Sequence, residues 1–191
     1  MKKTLLLMLG LLVWISVSCG QSGAKVEQHE QPAAQVQEQA ADTASAGVAV
    51  LKAVDATLSG EAAFKEIMDS YAGEVVVLDF WATWCPPCRR AMVEVDRIKP
   101  ELMSKGVRFV YITGETSPQA DFNKMMPGIH GDHYRLTNKQ WEEVCQMLNL
   151  PGIPAYAVVC RDGSMQYSNL SQGGYPGNEV IQNAAEVALT K

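Results

Sequence analysis

The chain begins with an apolar run, residues 5–17, interrupted mainly by Gly10 and Ser16 and preceded by Lys2 and Lys3. A membrane span needs roughly 20 apolar residues, so this shorter run reads as the core of an export signal, residues 1–18. The pattern then changes. Residues 21–47 are mostly Gln, Ala, Glu and Ser with few large apolar side chains, a composition that buries too little surface to offset chain entropy. Residues 19–48 therefore read as a flexible tether, spanning roughly 25–30 Å as a coil. Residues 49–191 remain for one folded domain.

In that domain Ala63, Phe64, Ile67, Met68 and Tyr71 recur at helical spacing behind Ser59, a good N-cap. Residues 74–80, EVVVLDF, are apolar without alternation, the mark of a strand covered on both faces. A helix follows directly and Pro100 must kink or interrupt it. Residues 107–113 form a second buried strand, and Ser117 and Pro118 predict a helix start with serine as cap and proline in the first turn. Thr137 and Gln140 make a capping box, with Leu136 and Trp141 at staple spacing, for a helix to about Leu148. The strand 155–160, the turn RDGS and the segment MQYS predict a hairpin, and a last helix runs over 177–189. Strands alternating with helices and ending in a hairpin predict an α/β fold with a central mixed sheet.

With 191 residues, 47% of them apolar, the chain has material for one core. The net charge of −5 and the scattered Lys and Arg lack the electrostatic footprint of a nucleic-acid binder.

Among the five cysteines, Cys85 and Cys88 stand out in WATWCPPCRR. Structural zinc needs four ligands, and only His130 and His133, in a glycine-rich loop, are on offer. A structural disulfide suits an exported chain, but closing so small a loop removes little chain entropy. The position favours chemistry. A buried strand ends at Phe80 and a helix begins at Cys85, where unpaired N–H groups and the helix dipole stabilise a thiolate. Cys85 is then the nucleophile and Cys88, one turn inside, the resolving thiol. Pro86 and Pro87 have no N–H to offer the thiolate, which makes the pair more reducing, whereas Arg89 and Arg90 act in the opposite sense. Cys145 and Cys160 read as quiet core residues, with a bridge between them as the alternative.

The stretch VVVLDFWATWCPPC, with LPGIPAY about 65 residues later, strongly resembles the thioredoxin superfamily, and WCPPCRR its exported branch, the TlpA and ResA group of thiol–disulfide oxidoreductases. The resemblance covers roughly residues 50–191. It implies a thioredoxin-like fold with Cys85 attacking and Cys88 resolving. Asp79 matches the buried acidic residue that takes the Cys88 proton, and Trp84 the aromatic cover of the active cysteine. Pro154 matches the cis-proline facing the dithiol, where the Ile153 backbone pairs with substrate. SVSCG resembles the lipobox of bacterial lipoproteins, which implies lipidation at Cys19, although Ser16 stands where Leu is preferred. Three departures stand out: Ala91 in place of a ResA-like Glu, Val93 in place of a kinking Pro, and a longer segment 114–136. That segment reads as an insertion before the cis-proline strand, shaping substrate choice or elaborating the surface.

The expectation is a lipid-anchored, periplasm-facing reductase of the bacterial cell envelope. Its partners would be disulfide-containing exported proteins and an upstream membrane electron donor, with no metal, nucleotide cofactor or nucleic acid. The alternatives are a dithiol oxidase, or a non-catalytic binding module or metallochaperone of the same fold.

Overall fold

The computed structural model describes residues 47–191. The predicted export signal, tether and Cys19 lie outside the described residues. The elements are β1 (Ala49–Lys52), α1 (Gly60–Asp69), β2 (Val75–Phe80), α2 (Pro86–Val95), α3 (Lys99–Ser104), β3 (Val107–Gly114), α4 (Gln119–Met125), a 3₁₀ turn (Met126–Gly128), β4 (Gly131–Leu136), α5 (Asn138–Met147), β5 (Ala155–Val159), β6 (Met165–Ser168) and α6 (Asn178–Leu189). They build one six-stranded sheet of order β1-β4-β3-β2-β5-β6, in which β5 runs antiparallel to both its neighbours, β2 and β6, and the other pairs are parallel.

The unbroken apolar character of β2 has its explanation here, since all six of its residues are buried at the middle of the sheet. One face packs Met92, Val95, Leu102, Phe122 and Ile181 from α2, α3, α4 and α6. The other packs Ile67 and Val144 from α1 and α5. Ser59 caps α1 through a bond from the Ala62 N–H, and the Thr137–Gln140 capping box opens α5. The long helix after the cysteines is interrupted at residues 96–98, and Pro100 falls in the first turn of α3, where a missing N–H costs nothing.

Four expectations need correction. Pro118, not Ser117, occupies the cap position of α4. The Ser117 hydroxyl instead accepts from the Thr83 N–H at 3.0 Å and pairs with the Thr113 hydroxyl at 2.8 Å. Segment 114–136 is more than surface elaboration, because it supplies β4, which lies between β1 and β3 in the sheet. His133 accordingly sits within β4 and is fully buried, not in a loop. Cys145 and Cys160 are unbridged; Cys160 is buried, whereas Cys145 is only half-buried and so not a core residue. Burial pushes the Cys145 thiol up to about 11, which keeps it protonated at neutral pH.

Candidate active site

Cys85 and Cys88 form a disulfide at the start of α2, with their Cα atoms 5.3 Å apart. Cys85 is the N-cap residue: its extended backbone leaves the loop after β2, and its sulfur accepts the Cys88 N–H at 3.2 Å. Pro86 and Pro87 fill the first turn, so two of the N–H groups that a helix start normally aims at its cap are missing. Cys85 is 3% exposed and Cys88 fully buried, whereas Trp84, Pro86 and Pro87 are exposed. One sulfur thus reaches the surface through an apolar collar and the other is shielded.

Two loops hold this corner. Trp84 donates its Nε1–H to the Thr116 carbonyl at 3.0 Å, beside the Thr83–Ser117 bond. Arg135 of β4 clamps the same turn by donating to the Ser117 carbonyl at 3.1 Å. The second loop carries Ile153 and Pro154, joined by a cis peptide bond. The Ile153 carbonyl oxygen lies 3.7 Å from the Cys85 sulfur. Asn169, which the sequence reading missed, secures this loop: its side chain accepts from the Tyr156 N–H at 2.7 Å and donates to the Gly174 carbonyl at 2.8 Å, while the Gly174 N–H donates to the Pro154 carbonyl. Its only sequence signal was a polar residue placed just after a predicted strand.

Asp79 is 2% exposed, on the sheet face covered by α2, and neither carboxylate oxygen has a hydrogen-bond partner. Burial pushes its pKa up to about 7, with the Tyr156 hydroxyl and the Lys99 ammonium pulling the other way. A carboxyl poised near neutrality inside a protein suits proton transfer. Cys85, Cys88, Ile153 and Pro154 thus meet at one corner, collared by Trp84, Pro86 and Pro87, with Asp79 in the layer below. Trp81 is core, fully buried against Phe122 and His133. His133 does not face an open site: its Nε2 pairs with the Ile129 carbonyl oxygen at 2.7 Å and its ring stacks on Tyr111. Among the described residues no three His, Cys, Asp or Glu side chains gather as a metal site, and no helix is long and apolar enough to cross a membrane.

The chain is 43% identical over 49 residues to the thioredoxin-like protein YneN of Bacillus subtilis, covering 26% of this chain and 27% of that one. It is 25% identical over 100 residues to the thiol-disulfide oxidoreductase ResA of Geobacillus kaustophilus, covering 52% and 56%. The chain therefore spans between about a quarter and just over half the length of these curated relatives. Among solved structures, a putative thiol:disulfide interchange protein DsbE from Chlorobium tepidum superposes with a TM-score of 0.52 at 20% identity, covering 64% of this chain and 84% of that one. The thioredoxin domain of a Bacteroides vulgatus thiol-disulfide oxidoreductase gives 0.52 at 16%, covering 63% and 83%. At these identities the likeness establishes the fold, which is thioredoxin-like. The family model described as Redoxin matches residues 52–179, two thirds of the chain, and the protein belongs to that family as a TlpA/ResA-like member of the thioredoxin superfamily.

Proposed function

We propose that this domain is a thiol–disulfide oxidoreductase that reduces disulfides of exported proteins. The observation that carries the reading is a Cys85–Cys88 pair at a helix start, facing the Ile153 carbonyl and underlain by an unpartnered buried carboxyl, Asp79. In the dithiol form the Cys85 thiolate attacks one sulfur of a substrate disulfide. That bond breaks, a mixed disulfide forms, and the first substrate thiolate leaves. Cys88 then passes its proton to Asp79 and attacks the Cys85 sulfur, releasing the second substrate thiolate. Two electrons have moved from the dithiol to the substrate, and the protein is left as the disulfide seen here. An upstream membrane donor of two electrons must restore the dithiol.

The direction of flow is supported by what surrounds the Cys85 sulfur. A thiolate there has the Cys88 N–H as a donor, no N–H from Pro86 or Pro87, and a carbonyl oxygen 3.7 Å away that disfavours negative charge. A poorly stabilised thiolate gives its electrons up readily. The dithiol-oxidase reading draws on Arg89 and Arg90, both exposed beside the pair. Anchoring through a lipid on Cys19, facing the periplasm, rests on the sequence around that residue, outside the described residues. The test of the central reading is insulin reduction with dithiothreitol as donor. The wild type should turn over, and Cys85→Ser should fall to the uncatalysed rate; normal activity in that variant contradicts the assignment.

A further inference from the structure

Backbone register lines up four polar side chains in one row across the sheet. His133 on β4 pairs with Tyr111 on β3, Tyr111 with Asp79 on β2, and Asp79 with Tyr156 on β5. Side chains alternate along a strand, so these residues share the face of Val77, Phe109 and Val158, the face covered by α2, α3, α4 and α6. None is more than 2% exposed, and each carries at least one polar atom without a partner.

Into this layer α3 sends Lys99, among the described residues the only buried lysine or arginine. Its ammonium sits 5.1 Å from the Tyr111 ring centroid and 5.7 Å from that of Phe109, and it pairs with Asp96 at 2.5 Å. The lysine side chain of that pair is 3% exposed and the aspartate 50%. Lys65 and Asp69 make an equally short pair with both ends in solvent, so an ion pair by itself does not require a lysine inside the core, where desolvation is unfavourable. What the interior position adds is a positive charge in the layer of Asp79.

We propose that Lys99 is a positioning residue for the redox centre, its buried charge setting how readily Asp79 takes the Cys88 proton, with Asp96 at the surface setting how much of that charge Asp79 feels. The groups around Asp79 leave Lys99 this role. The sheet face that carries Asp79 is covered by Cys88 from α2, Phe122 from α4 and Ile181, Ala185 and Ala188 from α6, and in its row stand Tyr111 of β3, His133 of β4 and Tyr156 of β5, the last against Tyr175. Burial holds His133 down to about 4 and the two sheet tyrosines well up, so all three are neutral near pH 7. Lys99 and Asp96 also line a cleft of about 430 Å³ with Met103 and His130, which gives the pair contact with solvent away from the Cys85 collar.

The inference rests on the redox reading but is tested apart from turnover, by titrating the Asp79 carboxyl carbon by NMR in the disulfide form, its signal assigned by its loss in Asp79→Asn. Lys99→Met should move the Asp79 midpoint up by about one pH unit, Lys99→Arg should restore it, and Asp96→Asn should move it down. The pH profile of insulin reduction should follow the same order. An Asp79 midpoint unchanged in Lys99→Met overturns the proposal. If that variant does not fold, an unchanged midpoint in the surface variant Asp96→Asn overturns it equally. A protein inactive on disulfides whose Asp79 still answers to Lys99 would sink the function and leave the coupling standing.

Discussion

The Cys85 sulfur and the Ile153 carbonyl oxygen lie 3.7 Å apart although 68 residues separate them in the chain. The contact brings the half-buried bend at Ile153 beside the Cys85 sulfur, and in the proposed mechanism a substrate cysteine approaches along this side. In the proposed mechanism, with Cys88 fully buried, the first covalent adduct forms on Cys85. Cys88→Ser should accumulate mixed disulfides with disulfide-bonded substrates, visible as higher-mass bands on non-reducing gels and lost with thiol. The Cys85→Ser variant should show none; adducts of equal yield on both variants would refute this division of roles.

Asp79 and His133 make opposite demands on stability. Asp79 is raised from 3.8 to about 7, so the folded state binds more protons than the unfolded one. Its contribution is fully present below about pH 4, falls as pH rises through the folded value, and levels off above about pH 7. The difference is on the order of 4 kcal/mol for a fully buried group. His133 is lowered from 6.5 to about 4 and disfavours folding as pH falls through that interval. Urea denaturation should therefore find Asp79→Asn more stable than wild type at about pH 8 and little changed at about pH 4. A variant gaining equally at both pH values would contradict the buried, half-neutral carboxyl.

Trp84 is 57% exposed yet fixed by its bond to Thr116, a rigid apolar surface beside the sulfur. Exposed aromatic anchors of this kind contribute about 1–2 kcal/mol to protein contacts. Trp84→Ala should lower kcat/KM for protein disulfides by roughly 5–30-fold, while the melting temperature stays within error of wild type. Unchanged kcat/KM would remove Trp84 from the docking surface.

Gly131 enters β4 at φ +134°, and a Cβ there would stand 2.6 Å from the Phe109 carbonyl oxygen. Since β4 carries Arg135 to the turn that holds Trp84, the strain should spread to the site. Gly131→Ala should lose roughly 1–3 kcal/mol in urea denaturation and lose activity with it; a variant of wild-type stability would show that β4 enters the sheet otherwise.

The central strands, the capped helices and the cysteine corner were legible because each follows from local pattern: unalternating apolar runs at β2 and β3, a capping box at α5, a helix start at Cys85. The strands β1 and β4 were not. β1 is four residues long at the boundary of a polar stretch, and β4, GDHYRL, looks polar because only the folded chain brings partners to its buried side chains. Asp132 accepts from Tyr71 at 2.7 Å and pairs with Lys52 at 2.9 Å, and His133 stacks on Tyr111. Lys99 escaped notice for a related reason. A lysine in a helical pattern reads as solvated surface, and only the break between α2 and α3 turns it inward.

The direction of electron flow is the claim on which the account depends most, and equilibration of residues 47–191 with glutathione or dithiothreitol buffers measures it directly, the dithiol fraction being read by thiol alkylation. A midpoint near that of thioredoxin, about −270 mV, is the predicted result, and one near that of DsbA, about −120 mV, would contradict it and make the protein an oxidant.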